Sequence, residues 1–331
     1  MSKDHNLERR EFLGGVAAVA AASVLAGETT AGGMQYRQLG RTGEKVSAIG
    51  LGGSHIGNPK DPNEAIRIIR SALDRGMNFL DNCWDYHDGD SEVRMGLALR
   101  DGYRQKAFLM TKFDGRSKTA AGRQIDESLH RLQADHLDLI QFHENIRLDD
   151  PDRFFAEDGA LEAVMAAKKA GKVRYIGFTG HKDPLVHLRM LDEAAARDFH
   201  FDTCQMPLNV MDASFRSFQK QVLPRLLAEG IGVLGMKPIG SGLLLKSGSV
   251  SAMECLHYAL SLPTSVVING CESMARLEQA FEAIRTFQPL GAEKMAELEG
   301  RARADALTGK FELFKTSTRF DGTIKNPQWM G

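Results

Sequence analysis

Short apolar runs rich in β-branched residues recur at intervals of about thirty residues along this chain of 331 residues. Helix-like or loop segments separate most of them. The eight runs are Val46–Ile49, Phe79–Leu80, Phe108–Met110, Leu137–Ile140, Val173–Phe178, Thr203–Met206, Val233–Met236 and Ser265–Ile268. This alternation indicates parallel βα units. Eight units over about 290 residues fit a closed (β/α)8 barrel, so the sequence predicts an α/β fold with a single domain.

The segments between the runs show helical periodicity. Segment 63–76 carries one apolar stripe and ends at a glycine, as many helices do. The stripe consists of Ala65, Ile68, Ile69, Ala72 and Leu73. The alternative fold is a doubly wound sheet, which would require G-x-G-x-x-G after its first strand. The sequence GLGGSHIG at 50–57 has a different glycine spacing, so the barrel is favoured.

Charge and cysteine content narrow the class of function. The 42 Lys and Arg residues balance 43 Asp and Glu residues, which disfavours a nucleic-acid-binding protein. The four cysteines are far apart and form no C-x-x-C pair, so we predict buried thiols with neither a metal site nor a disulfide framework. They are Cys83, Cys204, Cys255 and Cys271. Cys83 stands apart because it lies in the polar stretch NFLDNCWDYHDGDSE at 78–92.

The first 31 residues are predicted to be an export signal and not part of the fold. Arg9 and Arg10 precede Phe12 and Leu13, and a weakly apolar Ala-rich stretch and small residues follow. This order resembles a bacterial twin-arginine (Tat) signal, R-R-x-F-L. The stretch of about fifteen residues is too short for a hydrocarbon layer of roughly 30 Å, so no stable membrane span is expected. The resemblance implies recognition by the Tat machinery, a periplasmic location and export after folding with a cofactor bound. A frayed Ala-rich helix remains the alternative.

Four titratable side chains follow three consecutive predicted strands. Asp81 and Tyr86 come after the second run, Lys112 after the third and His143 after the fourth. In a (β/α)8 barrel the carboxyl ends of the strands meet at one face, where catalytic residues lie. Each residue alone has an ordinary explanation, as a helix cap, a solvated lysine or a structural histidine. Together they predict an active site.

These four groups suit proton transfer to a carbonyl oxygen. A phenol is a poor acid at neutral pH, and a nearby ammonium such as Lys112 lowers its pKa. Asp81 would keep the lysine charged, and a neutral His143 would orient the substrate carbonyl. Tyr86 would then act as the general acid. No side chain donates hydride, so the chemistry requires a nicotinamide cofactor.

The motifs around these residues resemble those of the aldo-keto reductase family. FLDNCWDYHDGDSE is similar to its F-D-T-A-x-x-Y-G-x-S-E segment, LMTKF to I-x-T-K, DLIQFHE to D-L-x-x-x-H, and GKVRYIGFTGH to G-K-I-R-x-I-G-V-S-N. The similarity covers roughly residues 34–290 and leaves 291–331 as a C-terminal helix and tail. It implies a (β/α)8 (TIM) barrel, NADP(H) as cofactor and reduction of aldehydes or ketones, with Asp81, Tyr86, Lys112 and His143 as catalytic tetrad.

The resemblance also implies a cofactor-binding set. Its members are Gly53, Ser54, Asp81, Thr179, Gly180, Gln205, Met236, Lys237, Gly240, Gly242, Leu243, Gly270, Cys271, Ser273, Arg276 and Gln279. Gln205 matches the family's nicotinamide-binding glutamine, and Arg276 matches the arginine that grips the 2′-phosphate. Gly270 replaces the usual lysine and Glu272 adds a negative charge, so NADP(H) is favoured and NAD(H) is the alternative. His181 is a candidate replacement for the family's missing Asn.

Trp84, Tyr86 and His143 are the candidate substrate-binding residues, with loop packing as the alternative for Trp84. The aromatic C-terminal tail is expected either to cross the barrel mouth or to pack on its side. The predicted function is an NAD(P)(H)-dependent oxidoreductase acting on an aldehyde, ketone or sugar carbonyl, or on the alcohol. A nicotinamide-binding regulatory subunit like the potassium-channel β-subunits, and an isomerase or lyase that retains its nicotinamide, remain open.

Overall fold

The computed structural model describes residues 28–29 and 33–331. Eight parallel strands close into one barrel, which confirms the predicted fold. They are β4 (Ile49–Gly52), β5 (Phe79–Asp81), β6 (Phe108–Phe113), β7 (Leu137–Phe142), β8 (Val173–Thr179), β9 (Thr203–Pro207), β10 (Gly232–Met236) and β11 (Val266–Gly270). Each strand pairs with its sequence neighbour, and β11 pairs with β4 to close the ring.

A small antiparallel sheet precedes the barrel. Its strands are β1 (Glu28–Thr29), β2 (Gln35–Gln38) and β3 (Lys45–Ser47). β1 lies within the expected export segment. The rest of that segment falls outside the described part of the chain. The first predicted run, Val46–Ile49, is divided between β3 and β4. The sequence pattern does not predict this break, because the apolar residues continue across the turn at Ala48.

The sheet also closes the floor of the barrel. Leu39 and Val46, which lie in or beside β2 and β3, pack with side chains from the barrel strands into one buried apolar cluster. Phe79 and Phe108 stack there with ring centroids 5.2 Å apart. The barrel interior is thus filled at this end, which leaves the carboxyl ends of the strands as the face that can hold a ligand.

Helices surround the barrel in the positions that the apolar stripes predict. They are α1 (Pro62–Asp74), α2 (Asp90–Ala98), α3 (Lys118–Leu132), α4 (Asp150–Phe154), α5 (Ala160–Lys169), α6 (Pro184–Ala195), α7 (Phe218–Gln221), α8 (Leu223–Ala228), α9 (Ala252–Ser261) and α10 (Met274–Thr286). All five stripe residues of α1 are buried, and the Asp61 side chain caps its first turn by accepting from Asn63 N at 2.9 Å. Among the described residues, no helix has the length and apolarity to cross a membrane.

The C-terminal segment begins with a helix that packs against α9 and ends with a tail that crosses the mouth of the barrel. It comprises α11 (Ala292–Ala306), α12 (Leu313–Thr316), α13 (Gly322–Lys325) and a short turn at Pro327–Trp329. The Glu144 carboxylate, just past β7, accepts from Gly322 N at 2.6 Å and Thr323 N at 2.7 Å. His181, just past β8, meets Asp321 at 3.0 Å. Of the two expected courses of the tail (residues 307–331), the structure therefore has the one across the mouth.

Candidate active site

Three adjacent strands bring the four predicted catalytic side chains to one rim. Asp81 is the last residue of β5, and Tyr86 begins the turn that follows it. Lys112 lies near the end of β6, and His143 directly follows β7, where its N–H donates to Phe113 O at 2.9 Å. The parallel register sets this arrangement, because Asp81 pairs with Met110 and Lys112 pairs with Gln141.

Lys112 is the centre of the group. Its ammonium is ion-paired with the Asp81 carboxylate, donates to Asn82 O at 2.8 Å and lies 3.2 Å from Tyr86 Oη. The side chain is only 1% exposed, so the charge is held by these partners and not by water. Burial lowers the pKa of Lys112, but the facing Asp81 carboxylate outweighs that effect, and the net pKa lies above its usual value.

Burial dominates the acidity of the tyrosine. The pKa of Tyr86 lies well above its usual value because the phenol is desolvated, although the Lys112 ammonium acts in the opposite direction. This corrects the expectation that the lysine sets a lowered pKa. The phenol is consequently fully protonated at neutral pH and can donate to a ligand, while Lys112 stands ready to stabilise the phenolate that a donation would leave.

His143 faces Tyr86 and turns one ring nitrogen away from it. The two rings are perpendicular with centroids 6.1 Å apart. Nδ1 lies 2.9 Å from Asp114 Oδ1 and 3.3 Å from Cys83 Sγ. Burial lowers the pKa of His143, so the imidazole is neutral near pH 7, as the sequence analysis expects. Burial also raises the pKa of the Asp114 carboxyl to about 6.

A cavity of about 440 Å³ opens above these residues, within the roughly 300–1,000 Å³ range of ligand pockets. All four predicted catalytic residues line it. Most of the predicted cofactor set lines it too, namely Gly53, Ser54, Asp81, Thr179, Gly180, Gln205, Met236, Lys237, Gly242, Gly270, Arg276 and Gln279. Gly240, Leu243, Cys271 and Ser273 lie outside the lining, although their neighbours Ser241 and Glu272 belong to it.

The cavity offers an unsatisfied amide that fits a nicotinamide. Gln205 Nε2 donates to Asp81 Oδ2 at 2.5 Å, while Gln205 Oε1 is buried without a hydrogen-bond partner. A buried acceptor of this kind is costly unless a ligand N–H reaches it. The carboxamide of a nicotinamide has such an N–H. The thioether of Met236 also lines the cavity and can cover an aromatic ring face.

Cationic side chains mark the rest of the cavity. Loss of hydration, reinforced by the Lys112 ammonium, lowers the pKa of Lys237 to about 8. The Lys237 ammonium lies 5.1 Å from the ring centre of Phe320, a tail residue that lines the cavity. Arg276 donates to Gln279 at 3.1 Å and has Glu272 at 3.8 Å, so its guanidinium is partly neutralised. Besides Lys112, the cavity thus has two cationic side chains, which could pair with anionic groups of a ligand.

Trp84, expected as a wall of the substrate pocket, is not part of the cavity lining. Its indole Nε1 donates to Glu127 Oε2 at 2.6 Å. Its ring is perpendicular to that of Trp329 in the tail, and the two ring centroids are 5.5 Å apart. The loop-packing alternative therefore describes Trp84 better, because these partners turn the side chain away from the cavity.

Several lining residues escaped the sequence analysis. His55, just after β4, occupies the space beside Gly270, where an added Cβ would come within 2.2 Å of His55 Nδ1. The strand-end argument that found Lys112 would also have found His55. Asp85 and Phe320 line the cavity as well, and Asp114 lies behind it. Asp85 directly precedes Tyr86, and Asp114 lies two positions after Lys112. This closeness to predicted catalytic residues could have identified both as candidates.

Comparison with known proteins agrees with this architecture. A sequence profile of the aldo/keto reductase family matches residues 48–252. L-galactose dehydrogenase from Arabidopsis thaliana is 29% identical over 315 residues, which cover 80% of this chain and 93% of that protein. The uncharacterized oxidoreductase YrpG of Bacillus subtilis (strain 168) is 30% identical over 231 residues, covering 64% of this chain and 68% of YrpG.

A solved structure extends the match to three dimensions. Aldo-keto reductase AKR11C1 from Bacillus halodurans, in its holo form, superposes with a TM-score of 0.69 and 26% sequence identity, covering 82% of this chain and 97% of that one. The family profile spans more than half of the chain and includes the four strand-end residues at the cavity. The chain belongs to the aldo/keto reductase family of oxidoreductases.

Proposed function

We propose that this protein is an NAD(P)(H)-dependent oxidoreductase that reduces the carbonyl of an aldehyde, ketone or sugar, or oxidises the corresponding alcohol, with Tyr86 as the general acid. The observation that carries this proposal is the position of Lys112 Nζ, ion-paired with Asp81 and 3.2 Å from Tyr86 Oη, beside a cavity large enough for a ligand. A lysine held in this way can stabilise negative charge on the phenol oxygen.

In this proposal each residue has a separate task. Tyr86 Oη gives its proton to the substrate oxygen, and Lys112 stabilises the phenolate that remains. Asp81 keeps Lys112 charged, and Gln205 fixes the second oxygen of the same carboxylate. His143 donates to the substrate oxygen and orients it. A bound nicotinamide would supply the hydride, which no side chain can provide. Oxidation of an alcohol uses the same groups in reverse.

The cofactor assignment rests on the cavity lining. Gln205 Oε1 would accept from the nicotinamide carboxamide, Met236 would cover the ring, and Lys237 and Arg276 would hold the phosphates. We favour NADP(H), because an exposed guanidinium suits the extra phosphate. Glu272 near Arg276 keeps NAD(H) as the alternative.

A carbohydrate is the first substrate class to examine. A relative whose name specifies L-galactose aligns with 80% of this chain. Aldoses, L-galactose among them, therefore belong in the substrate panel beside simple aldehydes and ketones.

We also propose that the protein is exported by the Tat machinery with its nicotinamide already bound. The Arg9–Arg10 pair with Phe12 and Leu13 supports this proposal. Fractionation of cells that produce the full chain, and the Arg9→Lys/Arg10→Lys variant, would test it. Retention of both proteins in the cytoplasm would refute export. Nicotinamide lost on dialysis of periplasmic protein would refute the carried cofactor.

The decisive experiment compares the parent protein with the Tyr86→Phe variant. Each is mixed with NADPH or NADH and the substrate panel, and cofactor absorbance is followed while binding is measured separately. The variant should lose activity by roughly 10²–10⁴-fold and still bind the nicotinamide. The matched control is Tyr103→Phe, which removes a surface phenol that donates to Asp74 at 2.9 Å, and it should retain full activity. Equal turnover by the parent and Tyr86→Phe would refute the general-acid role, and tight binding without turnover by the parent would favour a regulatory protein.

A further inference from the structure

Four potential metal ligands converge behind the rim of the cavity. They are Cys83, Asp85, Asp114 and His143, and one ligand atom from each lies within 4.8 Å of the others. His143 Nδ1 is the shared neighbour, 3.3 Å from Cys83 Sγ, 2.9 Å from Asp114 Oδ1 and 4.0 Å from Asp85 Oδ1. Ligand atoms around a tetrahedral metal stand roughly 3–4 Å apart when the bonds are about 2.0–2.3 Å long. The 3.3 Å and 4.0 Å separations suit a single ion, and the 2.9 Å pair would have to open slightly to hold one.

The hydrogen bonding of this cluster is incomplete. Asp114 is 1% exposed, and while its Oδ1 faces His143, its Oδ2 is buried without a hydrogen-bond partner. Asp85 Oδ1, the oxygen that faces His143 Nδ1, is also buried and receives no N–H or O–H donor, although the Cys83 thiol lies beside the same carboxylate. Two unsatisfied carboxylate oxygens in one buried cluster are costly unless a cation or donor reaches them.

We propose that Cys83, Asp85, Asp114 and His143 bind one divalent transition-metal ion of the Zn²⁺ class. A thiolate and an imidazole together exclude Mg²⁺ and Ca²⁺, which take oxygen ligands, and a set of one sulfur, one nitrogen and two oxygens suits Zn²⁺. Lys112 and Arg116 stand two positions on either side of Asp114, and Arg116 donates to its main-chain oxygen at 2.7 Å. Both cations favour negative charge on Asp114, although each is also ion-paired, Lys112 with Asp81 and Arg116 with Asp150.

The ion would also fix the orientation of His143. Within residues 33–331, every hydrogen bond of its ring runs through Nδ1. Ligation through Nδ1 leaves the proton of the neutral imidazole on Nε2, so the ring can only donate through that atom. Asp85 and His143 both line the cavity, and their side chains are 13% and 12% exposed, which provides a route of entry for the ion. The metal is thus a positioning element for the proposed carbonyl-binding histidine.

The test uses Co²⁺ as a spectroscopic probe and contains no nicotinamide or substrate, so its outcome is independent of the reductase assay. Protein freed of metal by a chelator is titrated with Co²⁺, and absorbance is recorded. We expect one equivalent to bind with a thiolate-to-cobalt charge-transfer band and visible bands of a tetrahedral ion, and Zn²⁺ to displace it. Cys83→Ser should abolish the charge-transfer band, and Asp114→Asn should weaken binding at least about tenfold.

Cys255→Ser is the matched control, because Cys255 is a buried thiol in α9, away from the cluster. It should bind Co²⁺ as the parent does. Thermal unfolding checks that each variant is folded, and Asp85→Asn at the cavity rim replaces Asp114→Asn if that variant is not. Absence of saturable Co²⁺ binding overturns the proposal. So does binding that persists unchanged in Cys83→Ser and Asp114→Asn, which would identify adventitious surface sites.

Discussion

Replacing Lys315 by methionine tests whether a buried charge cluster holds the tail on the barrel. Lys315 Nζ lies 2.6 Å from Asp212 Oδ1, 3.1 Å from Glu312 and 2.7 Å from Phe215 O, to which it donates. The side chains of Lys315, Asp212 and Glu312 are all 0% exposed. Methionine keeps an unbranched side chain as far as Cε and removes the ammonium, so two buried carboxyl groups lose their only cationic partner within this cluster.

The expected cost follows from that geometry. Removing one partner of a buried ion pair costs about 3–5 kcal/mol, because the remaining charge is neither hydrated nor paired. Burial already raises the pKa of Glu312 to about 7, and the pKa of Asp212 is raised as well. A carboxyl whose pKa is higher in the folded state weakens the fold as the pH rises from its unfolded value towards its folded value. Without Lys315 both values rise further, so the loss should be larger at pH 8 than at pH 5.

Urea unfolding at both pH values measures this loss. Both tryptophans of the chain, Trp84 and Trp329, form the edge-to-face pair between the loop after β5 and the tail, so intrinsic fluorescence reports tail docking directly. Lys310→Met is the matched control, since Lys310 is 55% exposed and pairs with Asp305 at 3.1 Å, and it should cost at most about 1 kcal/mol. A loss below about 1 kcal/mol for Lys315→Met at pH 8, or equal losses in the two variants, would contradict the reasoning.

Three further predictions concern the cofactor. Gln205→Leu leaves Asp81 Oδ2 without its donor and removes the free acceptor, so nicotinamide affinity should fall by about tenfold or more in a fluorescence titration. The pKa of Lys237 is lowered to about 8, so affinity for the anionic dinucleotide should fall as the pH rises through that value, and Lys237→Met should flatten the profile. Arg276→Met should weaken NADPH binding more than NADH binding, by about tenfold for each 1.4 kcal/mol of lost phosphate contact, and equal losses for the two cofactors would exclude a 2′-phosphate role.

The barrel and the catalytic rim could be predicted because they depend on local patterns. Asp81, Lys112 and His143 each follow an apolar run, and parallel strands must bring such positions to one face. The division of the first run between β3 and β4 could not be predicted from the sequence, since buried residues occupy both strands and the turn between them. Hydrophobicity marks burial and does not mark where a strand bends.

Side-chain direction and long-range partners were beyond the sequence. The indole of Trp84 contacts Glu127, which is 43 residues further along the chain, and Trp329 in the C-terminal tail. Its orientation therefore depends on tertiary contacts. Cys83 and His143 are separated by 60 positions, and a search for closely spaced metal ligands does not pair them. The acidity of Tyr86 also depends on how much water reaches it, which only the assembled cavity determines.

The tail contacts have a consequence for the order of events during synthesis. Glu144 meets Thr323 across 179 positions, and His181 meets Asp321 across 140. Contacts between such distant positions close late, after the strands that hold Lys112 and Gln205 have left the ribosome and can pair. Phe320 therefore reaches the cavity last, and a dinucleotide that enters beforehand meets an uncovered site. In the function proposed above, docking of the tail would cover a nicotinamide that had already bound.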